Sequence, residues 1–69
     1  MKEPKKGSLF RIARISKGIS QWELSRLVGV SQAIISVYER GLRRPGDPLI
    51  RHKLSEVLQV DEDLLFPEE

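Results

Sequence analysis

The sequence predicts a small all-α domain of five short helices, and three observations support this fold class. Apolar residues recur at spacings of three and four along much of the chain, as on one face of an α-helix. No segment alternates polar and apolar residues, so a sheet is not expected. Helix-capping residues, glycines and prolines divide the chain at short, regular intervals. A chain of 69 residues has room for one core and no second.

The first helix is predicted over residues 9–17, with Ser8 as its N-cap and Gly18 as its stop. Its apolar residues are Leu9, Phe10, Ile12 and Ala13. We expect residues 1–7, which precede it, to form a flexible basic tail.

The second and third helices have clear start and stop signals. Ser20 and Glu23 have the spacing of a capping box, which predicts a helix over 21–28 that ends at Gly29. We expect this helix to bury one face, formed by Leu24, Leu27 and Val28. Ser31 caps a third helix of about 32–40, in which Ile35 and Tyr38 lie three residues apart and after which Gly41 marks the stop.

A loop over 42–46 leads into the last two helices. Asp47 followed by Pro48 is an N-cap with a first-position proline, which opens the fourth helix. Its predicted inward residues are Ile50, Leu54, Val57 and Leu58. Asp61 is expected to cap a short fifth helix through Phe66, which leaves residues 67–69 as a C-terminal tail.

The joint spacing of the second and third helices favours one geometry. Counting from Gln21 as position one, position 5 is the small Ser25 and position 9 is Gly29. A small residue lets two helices cross closely, and glycine permits the positive φ of a tight turn. The apolar positions are 4, 8, 10, 15 and 18, occupied by Leu24, Val28, Val30, Ile35 and Tyr38. This is the pattern of a helix-turn-helix, whose second helix lies in a DNA major groove.

Three segments carry a resemblance to a known family. They are GISQWELSRLVGVSQ at 18–32, ISVYERGLRRP at 35–45 and KLSEVLQVDEDLL at 53–65. Together they resemble the Cro/C1-type (XRE-like) helix-turn-helix regulators, and the resemblance extends over about residues 8–66. It implies a compact five-helix, lambda-repressor-like DNA-binding domain, with the helix-turn-helix motif at about 20–40.

The chain departs from the family pattern at three positions. Ser25 replaces the usual alanine and brings a hydroxyl that needs a partner. Gln59 stands where a helix-ending glycine is common, so the fourth helix is expected to end by a different turn. Val37 occupies a recognition position that is often polar in the family, so base preference cannot be transferred there by analogy.

The motif and the resemblance together assign candidate DNA contacts. The predicted base-reading residues are Gln32, Ala33, Ser36 and Val37. The predicted backbone contacts are Gln21 and Ser31 at helix N-termini, and Arg40, Arg43 and Arg44 after the third helix. The alternatives are a second helix cap for Gln32, a core-edge role for Val37 and a solvated basic loop for the arginines.

Other charged and aromatic residues receive structural interpretations. The resemblance implies a salt bridge between Arg14 and Glu39 inside the domain. Trp22 lies roughly opposite Leu24 and Leu27 on its helix, so it either contacts the DNA backbone or covers the surface. His52 is interpreted as an ordinary surface residue.

Charge is divided unevenly along the chain. Residues 1–53 contain all twelve basic residues and four acids, for a net +8, whereas residues 54–69 contain six acids and no base, for a net −6. This division suggests that one end meets a polyanion such as DNA, with Lys2, Lys5 and Lys6 as an accessory arm, and that the acidic end is available to a protein partner. The alternative is ordinary solvation of a charged surface.

The leading hypothesis is a sequence-specific double-stranded DNA-binding regulator, with repression the expected outcome. We expect a homodimer that reads a palindromic operator, since one recognition helix contacts only a few base pairs. The candidate dimer surface is formed by Leu64, Leu65 and Phe66. The alternative for these side chains is packing on the apolar residues of the first helix, which include Leu9, Ile12 and Ile15.

Other function classes have less support. A rival from another class is a protein-interaction module on the same fold, such as an antitoxin-like or antirepressor-like partner. An enzyme is not expected, because the single histidine has no evident nucleophile partner and no phosphate-binding loop follows a strand. Without cysteine, and with one histidine, no metal centre or other cofactor is expected. The longest uncharged run, 27–38, is far shorter than a membrane span, so we expect a cytoplasmic protein that joins the nucleoid when bound to DNA.

Overall fold

The computed structural model describes residues 8–67. In this part of the chain the helices are joined by turns and loops, and there is no β-strand. The helices are α1 Ser8–Ser16, α2 Gln21–Val28, α3 Gln32–Glu39, α4 Pro48–Leu58 and α5 Glu62–Leu65. They pack into a body about 35 × 25 × 21 Å in extent. The all-α prediction is confirmed. The predicted basic tail with Lys2, Lys5 and Lys6, and the last two residues, lie outside the described residues.

The first helix buries only some of its apolar residues. It begins at Ser8, so that residue lies inside the first turn instead of before it. Phe10 and Ala13 are buried, but Leu9, Ile12 and Ile15 are 40, 59 and 56% exposed. The reason is geometric: residues three apart share a helix face, and only the face through Phe10 and Ala13 meets the core.

Both helices of the predicted motif begin at the expected caps. Ser20 Oγ accepts a hydrogen bond from the Glu23 backbone N–H at 3.0 Å, and Glu23 Oε1 accepts one from the Ser20 N–H at 3.2 Å. Ser31 Oγ accepts from the Ile34 N–H at 3.2 Å. These bonds satisfy backbone donors that the helix itself leaves unpaired.

The turn at Gly29 requires a left-handed backbone. Gly29 has φ +88°, and its N–H donates to the Ser25 carbonyl. This conformation places α3 directly after α2 with only a short connection, as the motif predicts.

The fourth helix ends in a way that corrects the sequence analysis. We predicted a different turn at Gln59, yet Gln59 itself adopts the left-handed conformation, with φ +57°. Its N–H donates to the Ser55 carbonyl, and Lys17 Nζ donates to its side-chain oxygen. The fourth helix therefore ends in a left-handed turn of the kind that glycine forms most easily, with glutamine in its place.

The caps of α4 and α5 differ from each other. Asp47 Oδ1 accepts from the Leu49 N–H at 2.9 Å, as predicted for α4. Asp61 occupies the N-cap position of α5, but its side chain makes no capping hydrogen bond. The predicted side-chain cap by Asp61 is therefore wrong, and the single turn of α5 is formed by backbone hydrogen bonds to the Asp61 and Glu62 carbonyls and by burial of Leu65 and Phe66.

The core joins all five helices. Its buried apolar residues are Phe10, Ala13, Leu24, Val28, Ile35, Leu54, Leu58, Leu65 and Phe66. The Phe66 ring lies 6.0 Å from the Phe10 ring and 6.0 Å from the Tyr38 ring, centroid to centroid. Leu27, expected on the buried face of α2, is 59% exposed because only the side of α2 next to Leu24 and Val28 meets the other helices.

The C-terminal end corrects the proposed dimer surface. Leu65 and Phe66 are only 3% and 7% exposed, because α5 turns both side chains into the protomer's own core. Leu64 alone of the three points outward, at 59% exposure. A second copy therefore cannot pack on Leu65 or Phe66 in this fold.

Candidate nucleic-acid interface

An ion pair fixes the recognition helix against the first helix. Arg14 Nε donates to Glu39 Oε2 at 2.7 Å, and Arg14 Nη2 donates to Glu39 Oε1 at 3.0 Å. Arg14 Nη1 also donates to the Ile19 carbonyl at 2.8 Å. The two side chains are 12% and 7% exposed, so this bidentate bridge is largely shielded from water. It joins α1, the loop before α2 and the end of α3.

Both partners are held in their charged forms. The hydrogen bond to Glu39 raises the pKa of Arg14 despite some burial. Burial alone would raise the pKa of Glu39, but the hydrogen bonds and charge of Arg14 outweigh it and hold the pKa below its usual value. Neither group is therefore available as a free charge for a ligand.

The Gln21 side chain makes a contact inside the protein that the sequence did not predict. Its half-buried side chain hydrogen-bonds to the Glu39 carboxylate and helps to lower the pKa of that group. Its backbone N–H and that of Trp22 have no acceptor among the described residues. Any contact of the α2 N-terminus with an anion would therefore use these N–H groups.

The buried Ser25 hydroxyl on α2, the helix that packs across α3, has a hydrogen-bond partner. Ser25, 5% exposed, donates its Oγ–H to the Trp22 carbonyl at 2.6 Å. The polar group introduced by this departure from the family pattern thus has a partner one turn back in its own helix, and the helices can still approach closely.

The start of α3 presents its side chains outward. Gln32 and Ala33 are exposed, and Ser36 and Val37 are half-buried one turn later. Because Ser31 provides the cap, the Gln32 side chain is not needed for capping and makes no hydrogen bond to the described residues. The backbone N–H groups of Gln32 and Ala33 also have no acceptor there.

The loop after α3 is basic and anchored at its far end. Arg40, Arg43 and Arg44 are exposed, and Arg40 Nε lies 3.4 Å from the Ser36 carbonyl. Arg51 Nη1, from α4, donates to the carbonyl of buried Pro45 at 2.8 Å. Arg51 was not among the residues predicted from the sequence, because this contact depends on how α4 packs against the loop.

The acidic end is partly neutralised by α4. Glu62 Oε1 lies 3.6 Å from Arg51 Nε, and Glu62 Oε2 lies 3.8 Å from His52 Nδ1. Glu56 Oε1 lies 2.6 Å from His52 Nε2. His52 is thus a surface residue between two carboxylates. The acids that the sequence analysis offered to a protein partner are therefore partly engaged within the domain.

The surface of α2 carries an aromatic side chain. Trp22 is 55% exposed, and the Arg26 guanidinium lies over its ring, 5.1 Å from the centroid. Trp22 is therefore outside the core, as its position on the helix predicted. In residues 8–67, no helix is long and apolar enough to cross a membrane, and no group of three or more His, Asp or Glu side chains is placed to hold a metal ion.

Comparison with known proteins agrees with this geometry. A family model described as helix-turn-helix matches residues 10–65, which is most of the chain. No curated protein matches the chain significantly.

Proposed function

The chain belongs to the Cro/C1-type helix-turn-helix family of DNA-binding transcription regulators, and we propose that it represses transcription by binding a specific duplex sequence through α3. The observation that carries this proposal is the exposed start of α3. Gln32 lies there with an amide that no described residue engages, on a helix capped by its neighbour Ser31. A helix end of this kind can enter a major groove without breaking an internal bond.

We propose that four residues of α3 read bases. Gln32 presents a donor and an acceptor that match adenine N7 and N6 in a bidentate pair. Ala33 and Val37 offer methyl groups to thymine, and Ser36 lies beside them one turn along the helix. Short apolar groups beside a glutamine favour A·T pairs at these steps.

We propose that the DNA backbone is bound on either side of these residues. The N–H groups at the starts of α2 and α3, at Gln21 and next to Ser31, have no acceptor within residues 8–67 and suit phosphate oxygens. Arg40, Arg43 and Arg44 supply charge from the exposed loop after α3. Contacts to the backbone fix the register of α3 but carry no base preference.

We propose that the protein binds DNA as a homodimer on a palindromic operator, with half-sites about 34 Å apart. Two copies double the number of base pairs that are read. Since Leu65 and Phe66 are buried, the surface between copies would include Leu64 from the original set. We propose no catalytic activity and no cofactor for the domain.

A pair of substitutions separates base reading from backbone binding. Gln32→Ala should reduce the preference for the selected sequence over a scrambled duplex and leave the salt dependence of binding unchanged. Arg43→Ala and Arg44→Ala should each flatten the slope of log K against log salt by about 0.9 and weaken both duplexes alike. Fluorescence anisotropy of a labelled duplex measures both effects.

Lys53→Ala is the matched control, because Lys53 is an exposed base on α4 outside the proposed interface. Its slope should match that of the wild type. If the Gln32 and arginine variants bind DNA as the wild type does, the proposed interface is wrong. If the wild type binds no duplex, a protein-interaction module on the same fold becomes the better explanation.

A further inference from the structure

Trp22 and Arg26 form a stacked pair on the outer face of α2. The guanidinium carbon of Arg26 lies 5.1 Å from the centre of the Trp22 ring, within the range of a cation–π contact. Both side chains are exposed, and neither belongs to the core. The Trp22 ring is therefore outside the core and is placed to stack on the Arg26 guanidinium.

The Arg26 guanidinium keeps its hydrogen-bonding capacity. Within residues 8–67 no carboxylate lies in ion-pair range of it, and no acceptor takes a hydrogen bond from it. By contrast, Arg14 and Arg51 donate to protein acceptors. A planar guanidinium with unused donors is suited to a phosphate, which it can bind in a bidentate manner.

The pair lies on α2, the helix that packs across α3. Ser25, the buried residue at this crossing, donates its hydroxyl proton to the Trp22 carbonyl at 2.6 Å. Since helix positions advance by about 100° per residue, Trp22 and Arg26 lie about 60° and 100° around the helix from Ser25, both on the same side of it. The N–H groups of Gln21 and Trp22, which have no acceptor in the described part of the chain, open at the end of α2 that carries Trp22, whereas Arg26 reaches the Trp22 ring from the last turn.

We propose that the Trp22–Arg26 pair is an additional binding site for one phosphodiester group of the DNA backbone. This inference rests on the proposed function, in which α2 crosses the backbone while α3 enters the groove. Arg26 binds the phosphate oxygens, and the Trp22 ring holds the guanidinium in place and covers the adjacent sugar. A flexible arginine without the ring would lose more conformational entropy on binding.

The test uses Trp22 itself, because it is the only tryptophan in the chain. A fluorescein-labelled, mixed-sequence 20-base-pair duplex reports binding by anisotropy at low salt. A parallel titration with the unlabelled duplex follows Trp22 emission. We expect the emission to change and to saturate at the same duplex concentration as the anisotropy.

Variants of the pair identify the chemistry. Arg26→Gln should flatten the salt slope by about 0.9, the value for one phosphate contact. Arg26→Lys should keep the slope and still weaken binding, because lysine retains the charge but not the bidentate fork. Trp22→Leu should keep most of the slope and weaken binding about two- to fivefold, as expected for loss of an exposed cation–π contact. Lys53→Gln is the charge-matched control and should leave the slope unchanged.

The outcomes distinguish this inference from the proposed function. If the labelled duplex binds while Trp22 emission stays constant and Arg26→Gln keeps the wild-type slope, the Trp22–Arg26 site is wrong and DNA binding by α3 stands. If the wild type binds no duplex even at low salt, both proposals are wrong. The emission measurement needs no substitution, so a variant that fails to fold does not affect it.

Discussion

Glu39 is a nearly buried carboxylate at the end of α3, and both of its oxygens accept hydrogen bonds from Arg14. The bridge links the recognition helix to α1, so it sets the orientation of the residues proposed to read bases. Its energetic role follows from burial. A buried pair contributes little compared with an apolar pair, but removal of one partner leaves an uncompensated charge.

Glu39→Ala is expected to destabilise the domain clearly. Loss of the carboxylate leaves Arg14 with 12% side-chain exposure and no counter-charge, at a cost of up to about 3–5 kcal/mol. For a domain of this size, that should lower Tm by about 10 °C or more in a thermal melt followed by circular dichroism. Glu56→Ala is the control, since its contact with His52 is exposed and should contribute less than about 1 kcal/mol. An unchanged midpoint for Glu39→Ala would reject a stabilising bridge.

The same residue predicts a pH dependence of stability. The pKa of Glu39 is lowered in the folded protein, so its contribution is present above the ordinary glutamate value and is lost as pH falls through the folded pKa. Wild type should therefore lose more free energy of unfolding than Glu39→Gln between about pH 5 and pH 3. Urea unfolding at each pH measures the difference, in which the other carboxylates cancel. Parallel curves for the two proteins would contradict the predicted shift.

Single residues divide clearly into those that sequence can predict and those that it cannot. The Arg14–Glu39 pair followed from the family resemblance, and Ser20, Ser31 and Asp47 followed from local capping rules. The hydrogen bonding of the Gln21 side chain and the Arg51 contact to the Pro45 carbonyl were missed. Such contacts depend on how distant segments pack, which local patterns do not encode.

Two helices end in the same left-handed turn with different residues. Gly29 adopts φ +88° without a side chain, whereas Gln59 adopts φ +57° at a steric cost. The Lys17 contact to the Gln59 side chain is exposed and can offset only part of that cost. The α4 turn is therefore the weaker of the two.

Substitutions at these two turns should change stability in opposite directions. Gln59→Gly should raise the free energy of unfolding by up to about 1 kcal/mol, because glycine tolerates positive φ. Gly29→Ala should lower it by about 1–2 kcal/mol through backbone strain alone, since no heavy atom lies within 4 Å of an added Cβ. Denaturant unfolding of both variants measures the effects. Destabilisation by Gln59→Gly would show that the Lys17 contact outweighs the strain.

Helices with strong local signals were predicted closely, and the short or one-sided ones were not. The bounds of α2 and the starts of α3 and α4 followed from their caps. The α5 prediction placed the helix correctly but assigned Asp61 a capping role that it lacks, because a one-turn helix is positioned by the burial of Leu65 and Phe66. On α1 the apolar residues outnumber the buried positions, so periodicity could not identify which ones face the core.

The packing of α5 limits which residues of the whole domain can form a surface between two copies. The Phe66 ring packs against the rings of both Phe10 and Tyr38. The C-terminal apolar cluster, formed by Leu64, Leu65 and Phe66, therefore mainly completes the protomer's core. Exposed Leu64 remains the only member of that cluster that can meet a second copy.

The homodimer is tested by sedimentation velocity over a range of protein concentrations. We expect a dimer at high concentration for the wild type and a shift toward monomer for Leu64→Asp, because the charge would be placed in the surface between copies. Lys53→Asp is the control for a new surface charge on α4. A wild type that stays monomeric at every concentration, with and without duplex DNA, would contradict the dimer.

Selection of bound DNA from a random pool measures whether α3 reads a specific duplex sequence. We expect the wild type to enrich a sequence with two-fold symmetry, half-sites about one helical turn apart and A·T pairs at the steps next to Gln32 and Ala33. The same selection with Gln32→Ala should lose preference at one base pair in each half-site. Recovery of no common sequence by the wild type, or of the same sequence by Gln32→Ala, would contradict base reading by α3.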